Sequence, residues 1–177
     1  MDFTFTDDQQ MIIDAVRELG EEELAPHASE VAEKGEFPYE AIEKCREMDL
    51  FGIPVPERWG GLEMGFLMWG TVGELLSYYC QTTGSVFGAH ILGQYPIMAF
   101  GTEEQQEKYL VPLTSGEHIG AFGLTEPNAG SDAGSVQTRA ELHGDRYILN
   151  GTKIFISNGG VAQTYVIIAN LDPSKGT

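Results

Sequence analysis

The sequence is poor in cysteine and in positive charge. It has two cysteines, and its 10 Lys and Arg residues face 27 Asp and Glu residues, which gives a formal net charge of −17 at pH 7. Cys45 and Cys80 are too few for a disulfide framework and too far apart for a C-x-x-C motif, which indicates buried thiols in a reducing, cytoplasmic setting. Because nucleic acids and anionic membranes are themselves negatively charged, we expect neither to be a partner.

Several motifs that specify a chemistry are also missing. The sequence has no Gly-x-Gly for a dinucleotide fingerprint, no Gly-Lys-Ser/Thr for a P-loop and no G-x-S-x-G nucleophile elbow. Its four histidines are dispersed, so we expect no metal site. For His90 we favour a hydrogen-bonded core position over a place in a pocket. The apolar runs are too short to span a membrane, and the acidic N-terminus is not a signal peptide, so we expect a soluble protein.

The first two-thirds of the chain has helical periodicity. "TDDQ" at residues 6–9 has the pattern of a capping box, in which a Thr and a Gln satisfy each other's backbone N–H groups. Apolar residues follow at helical spacing. A loop rich in proline and glycine, "FGIPVPERWGGLEMG", interrupts the pattern. We predict five packed helices, which begin at Thr6, at Pro38, near Leu67, near Ser85 and after Thr102.

Near Glu117 the periodicity changes to the alternation of strands. We predict a hairpin that turns at Gly144–Asp145, a second one that turns at Asn150–Gly151 into a strand over Thr152–Ser157, and a last strand in "TYVIIANL". The predicted fold class is therefore α+β. A helical domain, residues 1–117, precedes an antiparallel β domain, residues 118–177, which is incomplete because so few strands leave exposed edges.

Two segments of the β domain are candidates for function. "AFGLTEPNAGSDAGS", residues 121–135, predicts a loop whose backbone N–H groups suit an anion or the polar edge of a ring system. Its Glu126 and Asp132 suggest an acid/base pair, but short polar side chains in such loops more often bond the neighbouring backbone. In "KIFISNGG", residues 153–160, Phe155 and Ser157 would share one strand face and could cover a flat ring and bond its edge. The alternative is a core Phe and a surface Ser.

Together these segments closely resemble the acyl-CoA dehydrogenase family. The resemblance lies in "FGTEEQQEKYLVPLTSGEHIGAFGLTEPNAGSDAGS" and "LNGTKIFISNGG", and it extends to "FTFTDDQQMIIDAVRELGEEELAP" and "GIPVPERWGG". It therefore covers essentially the whole chain. It implies a helical domain, a β domain and a C-terminal four-helix bundle that is absent here, with FAD between the β domain and the bundle.

The resemblance also implies a set of FAD-binding residues. Thr125 would lie near the polar edge of the flavin, Phe155 would pack on its rings, and Ser157 would bond its edge. Ser131 would also touch the acyl-CoA substrate, and Tyr95 would help to shape the acyl pocket. The full implied set is Phe122, Gly123, Leu124, Thr125, Glu126, Pro127, Asn128, Ala129, Gly130, Ser131, Phe155, Ile156 and Ser157.

The implied activity is α,β-dehydrogenation of an acyl-CoA thioester, with electrons passed to an electron-transferring flavoprotein. The family takes its catalytic base from the C-terminal bundle, so we name no catalytic residue in this chain. Two alternatives stay open: an oxidase of the same fold, and a non-catalytic scaffold or interaction subunit. We expect either a truncated chain or one half of a split enzyme, in a homo-oligomer (dimer or tetramer) or with a second chain that supplies the bundle.

Overall fold

The computed structural model describes residues 4–172 and places helices before strands. The helical segments are α1 (Asp7–Leu19), α2 (Ala28–Lys34), α3 (Tyr39–Glu47), α4 (Gly65–Tyr79), α5 (Gln81–Phe100), α6 (Glu103–Gln105) and α7 (Val111–Thr114). A π-helical and a 3₁₀ segment join α1 to α2, and a π-helical segment joins α6 to α7. The strands are β1 (Gly120–Gly123), β2 (Arg139–His143), β3 (Arg146–Asn150) and β4 (Thr164–Ile167).

The predicted helix starts are close to those observed. At α1, Thr6 accepts a hydrogen bond from the Gln9 backbone, and the Gln9 side chain accepts one from the Thr6 backbone, so the capping box is confirmed. Thr102 and Gln105 form a second capping box at α6. The helix predicted from Ser85 begins earlier, at Gln81, since a single extended residue separates α4 from α5.

The strands form two separate pairs. The hairpin of β2 and β3 is antiparallel and turns at Gly144–Asp145, as predicted. The α+β class is thus confirmed. The pairing of β1 with β4 differs from the expected antiparallel arrangement, because these two strands are parallel. The reason is topological: a long connection that includes the hairpin carries the chain back, so β4 runs in the same direction as β1.

The strand predicted over Thr152–Ser157 is wrong. Residues 151–157 form no strand, and Phe155 has a φ of +57°, which interrupts an extended backbone. The Asn150–Gly151 turn is wrong as well, because β3 ends at Asn150 without a return strand. A Cβ on Gly151 would lie 2.2 Å from the Thr138 hydroxyl oxygen, so the glycine is required by close packing.

The helix α5 occupies the centre of the molecule. Its buried residues include Phe87, which stacks on Trp69 of α4 and also lies against Phe51. On another side α5 contacts the β1 backbone directly. A Cβ on Gly93 would lie 2.8 Å from the Ala121 nitrogen, and a Cβ on Gly120 would lie 2.8 Å from the His90 carbonyl oxygen. The two backbones can therefore meet only while these positions carry no side chain.

This contact predicts opposite effects for two glycines of the same helix. Gly93→Ala improves helix propensity but forces a methyl group against backbone atoms of β1, so it should destabilise the chain by about 1–3 kcal/mol. Gly88→Ala is the matched control, because a Cβ there meets nothing within 4 Å, and it should stabilise the chain by up to about 1 kcal/mol. Urea unfolding of the three chains measures both. Equal effects at the two positions would contradict the close approach.

Candidate functional site

A pocket of about 260 Å³ lies between α5, the end of β1 and the segment that follows β3. Two apolar residues of α5 form one wall. The rest of the lining comes from the two segments singled out in the sequence, which lie about thirty residues apart along the chain. The lining residues are Ala89, Leu92, Phe122, Leu124, Thr125, Phe155, Ile156 and Ser157.

The first of these segments leaves β1 and folds into a tight turn. Glu126 and Ala129 exchange two backbone hydrogen bonds, of 3.0 and 3.2 Å, and Pro127 and Asn128 occupy the exposed corner. This is the loop that Pro127 and the glycines of the segment predicted. Gly123, Glu126 and the residues from Pro127 to Ser131 do not line the pocket, so six of the thirteen predicted residues meet there and seven do not.

The carboxylate of Glu126 is buried in the protein, and Glu126 does not line the pocket. It accepts hydrogen bonds from the Lys153 ammonium at 2.8 Å and from the backbone N–H groups of Gln137 at 2.6 Å and Thr138 at 2.9 Å. Hydrogen bonding, first of all by Lys153, lowers the pKa of Glu126 to about 2. Three donors therefore hold this group as a carboxylate, which matches the backbone-bonding interpretation and not that of an acid/base group.

Lys153 joins the two loops of the pocket. Besides Glu126, its ammonium donates to the Leu124 carbonyl oxygen at 2.8 Å, and the neighbouring Ile154 N–H donates to the Thr125 carbonyl oxygen at 2.9 Å. The Lys153 side chain is 10% exposed and that of Glu126 is 5% exposed, so this ion pair is largely shielded from water. The position of the second loop is thereby set by the first.

Phe155 is displayed to the outside of the molecule. The residue is 88% exposed and its φ is +57°, a strained conformation for a residue other than glycine. Strained backbone in a pocket loop is typical of binding sites, where the surroundings hold the conformation. Ile156 and Ser157 follow it in the lining. The core alternative for this Phe is therefore excluded, although the shared strand face that motivated its assignment does not exist.

His90 connects α5 to the base of the site. It is 1% exposed, its Nδ1 accepts from the Gly120 N–H at 3.1 Å, and its Nε2 donates to the Leu113 carbonyl oxygen at 3.0 Å. The favoured interpretation, a hydrogen-bonded core histidine, is confirmed. Burial lowers the pKa of His90 to about 4, so the ring is neutral near pH 7.

Some residues of the site carried no signal in the sequence. Lys153 precedes Phe155 in the quoted segment, but its partner Glu126 is 27 positions away and only the fold brings them together. Ala89 and Leu92 are ordinary apolar residues of a helix. Tyr95 does not line the pocket, and its ring packs edge-on against Phe66 at 5.5 Å. Within residues 4–172 no cluster of three His, Cys, Asp or Glu side chains could hold a metal ion.

Comparison with known families decides the assignment. The family model described as "Acyl-CoA dehydrogenase, N-terminal domain" matches residues 6–117, and the one described as "Acyl-CoA dehydrogenase, middle domain" matches residues 121–177. The chain belongs to the acyl-CoA dehydrogenase family. The resemblance found in its sequence is thereby confirmed.

Individual relatives agree with this assignment. "Acyl-CoA dehydrogenase, short-chain specific" of Clostridium acetobutylicum is 49% identical over 178 residues, which cover 100% of this chain and 47% of the relative. The structure of butyryl-CoA dehydrogenase from Megasphaera elsdenii has a TM-score of 0.93 and is 42% identical, over 99% of this chain and 47% of its own. The structure of PigA with FAD and proline has a TM-score of 0.89 and is 31% identical, over 99% of this chain and 47% of its own. The chain thus spans about half the length of the relatives it matches.

The ion pair between the loops predicts that the stability of this chain is sensitive to acid. The folded-state pKa of Glu126 is lowered from 4.5 to about 2. The contribution of this group to the free energy of unfolding is therefore complete above pH 4.5 and is lost as the pH falls toward 2. Glu126→Gln should lower the melting temperature at pH 7 by roughly 5 °C and should flatten this part of the pH dependence.

The exposed Glu33 provides the control for that experiment. Glu33→Gln makes the same chemical change on a helix surface and should leave the melting temperature at pH 7 within about 1 °C. Thermal unfolding followed by circular dichroism between pH 3 and 7 measures both variants. A Glu126→Gln chain that melts like the Glu33→Gln chain would show that the buried pair is not needed.

His90 predicts a second pH dependence in a different range. The folded-state pKa is depressed from 6.5 to about 4, so the unfolded chain binds the proton first and stability falls as the pH drops from about 6.5 to 4. The total loss in the free energy of unfolding is about 3 kcal/mol. NMR titration of the His90 ring measures its folded-state pKa directly. A midpoint near 6.5 would contradict the burial of a neutral ring between Gly120 and Leu113.

Proposed function

We propose that this chain supplies the flavin-contacting part of an FAD-dependent acyl-CoA dehydrogenase, which carries out α,β-dehydrogenation of an acyl-CoA thioester. The observation that carries the proposal is the pocket itself. Six residues from two distant segments line it together, and they combine an exposed aromatic ring with hydroxyl groups. The names of the dehydrogenase relatives support the choice of an acyl-CoA substrate.

The residues of the pocket fit the requirements of a flavin. The isoalloxazine is a flat ring system with polar edges, and it needs apolar surfaces together with hydrogen-bonding groups at its rim. Leu92, Phe122 and the exposed ring of Phe155 supply the apolar surfaces. Thr125 and Ser157 supply hydroxyl groups, and no hydrogen bond within residues 4–172 engages either hydroxyl. These side chains would hold the ring, and the chemistry that FAD supplies when bound is the acceptance of a hydride from the substrate.

The outer part of the first loop has a separate role in this proposal. Gly123, Glu126 and Ala129 are buried and shape the turn, whereas Pro127, Asn128, Gly130 and Ser131 are exposed beside it. We assign the exposed residues to the rim of the site, where Ser131 would touch both the cofactor and the thioester. Support comes from their position next to the pocket and from the family resemblance.

We propose that no carboxylate within residues 4–172 provides the base for removal of the α-proton. Within the described part of the chain the pocket lining contains no carboxylate, and the Glu126 side chain is bound by three donors as an anion with a pKa of about 2. A general base that works near neutral pH needs a higher pKa than this. We place the base in the C-terminal part that the longer relatives have.

We propose a domain boundary between residues 117 and 118, which is supported by the end of α7 at Thr114 and the start of β1 at Gly120.

We propose that a homo-oligomer or a second chain completes the enzyme. We also propose that an electron-transferring flavoprotein accepts its electrons. Both proposals rest on the family resemblance. The two buried free cysteines support a cytoplasmic location. No helix within residues 4–172 has both the length and the apolar character that a membrane crossing requires.

The proposal is tested by FAD titration followed by flavin fluorescence. Two proteins are compared: this chain alone, and a chimera in which it is joined to the remaining portion of the Clostridium acetobutylicum relative. Because the chain spans about half of that relative, we expect weak FAD binding by the chain alone and tight FAD binding by the chimera.

Addition of butyryl-CoA to the FAD-bound chimera should then bleach the flavin absorbance. Reoxidation by an electron-transferring flavoprotein but not by oxygen would identify a dehydrogenase and not an oxidase. A folded chimera that binds no FAD would contradict the proposal.

Phe155 provides the most direct variant for this assay. Phe155→Ala should weaken FAD binding by the chimera about tenfold, because the isoalloxazine loses its contact with the Phe155 ring. The melting temperature of the apoprotein should change little, because the Phe155 side chain is exposed. Tyr147→Ala removes another exposed aromatic ring, on β3, and serves as the control. Equal FAD affinity in the two variants would exclude Phe155 from the flavin contact.

A further inference from the structure

The segment that carries Phe155 is strained at two points. Phe155 has a φ of +57° and Asn158 a φ of +62°, and neither residue is a glycine. Such conformations persist only where the surrounding structure holds them. At its start, the segment is held by Lys153 and Ile154, as described above. Its other end needs a separate restraint.

Asn158 supplies that restraint through its side-chain amide. The amide nitrogen donates to the Val86 carbonyl oxygen of α5 at 3.2 Å and to the Gly120 carbonyl oxygen of β1 at 3.0 Å. One short side chain can reach both elements because α5 and β1 approach each other closely at Gly93 and Gly120. Asn158 thus connects the loop to the same junction that His90 occupies.

The backbone of Asn158 closes the turn that follows. Its carbonyl oxygen accepts from the N–H groups of Val161 at 3.2 Å and Ala162 at 3.0 Å, and the Gly159 N–H donates to the Ile156 carbonyl oxygen at 2.9 Å. The three pocket residues from Phe155 to Ser157 therefore lie between two restrained points, Lys153 before them and Asn158 after them.

We propose that Asn158 is a positioning residue for the flavin site. It does not line the pocket, but it holds the Phe155–Ser157 segment against α5 and β1 in the conformation that presents the Phe155 ring and the Ser157 hydroxyl. This inference rests on the proposed function. A loop that is ordered before the ligand arrives loses less conformational freedom on binding, so the restraint raises affinity for the cofactor.

The chemistry of the position explains why asparagine is suited to it. Asparagine and aspartate tolerate a positive φ better than other residues with side chains, and glycine tolerates it freely. Only asparagine combines this tolerance with an N–H₂ group that can donate to two carbonyl oxygens. Aspartate would place a carboxylate against both oxygens, and glycine would keep the backbone conformation without any donor.

The test uses Asn158→Asp and Asn158→Gly in the chimera described above. Asn158→Asp keeps the size of the side chain and removes both donors, and Asn158→Gly removes them without adding charge. Asn150→Asp, at the exposed end of β3, is the control with the same chemical change. FAD affinity is measured at a temperature where circular dichroism shows every variant folded. Amide hydrogen exchange is measured in the FAD-free proteins at Gly159, Val161 and Ala162.

We expect both Asn158 variants to lose about tenfold or more in FAD affinity and to exchange these three amides about tenfold faster, with the control unchanged in both. Unchanged exchange in both variants would overturn the proposal, since Asn158 would then not hold the loop. Faster exchange with unchanged FAD affinity would overturn it as well, because the residue would be structural only. A failure of the proposed function is distinguishable, since it appears as absent FAD binding in the unsubstituted chimera.

Discussion

The site depends on the direct contact between the backbone of α5 and that of β1. Gly93 and Gly120 leave no side chain between the two elements, and a Cβ at either position would lie 2.8 Å from a backbone atom of the other. Two side chains connect the elements across this contact: His90 of α5 accepts from the Gly120 N–H, and Asn158 donates to the carbonyl oxygens of Val86 in α5 and Gly120 in β1. The helical part of the chain thereby fixes the start of β1, and both pocket loops take their positions from it.

In the site, buried polar groups hold the loops in place, whereas exposed groups are available to contact a ligand. Glu126 and Lys153 are largely buried and are bonded to each other and to the backbone, so they hold the loops. Thr125, Ser157 and the ring of Phe155 remain available in the pocket. Loops that are held in place before a ligand binds lose less conformational freedom on binding, and this favours tight binding.

The sequence predicts local features of this fold well and non-local ones poorly. The capping box at Thr6 needs only residues three positions apart, the helix start after Thr102 needs only a local capping residue, and the turn at Gly144–Asp145 needs only two flanking strands, so all three are confirmed. The parallel pairing of β1 with β4 and the ion pair of Glu126 with Lys153 join distant residues, and no local pattern signals them. The Thr152–Ser157 strand is wrong because tertiary hydrogen bonds override the local alternation and leave Phe155 at a positive φ.

We propose that the flavin binds in the pocket between α5 and the two loops. A crystal structure, with FAD, of the chimera that contains this chain would show the position of the cofactor. We expect the isoalloxazine in van der Waals contact with Phe155 and within hydrogen-bonding distance of the Thr125 and Ser157 hydroxyls. An isoalloxazine bound elsewhere, with Phe155 still open to solvent, would show that this pocket is not the flavin site.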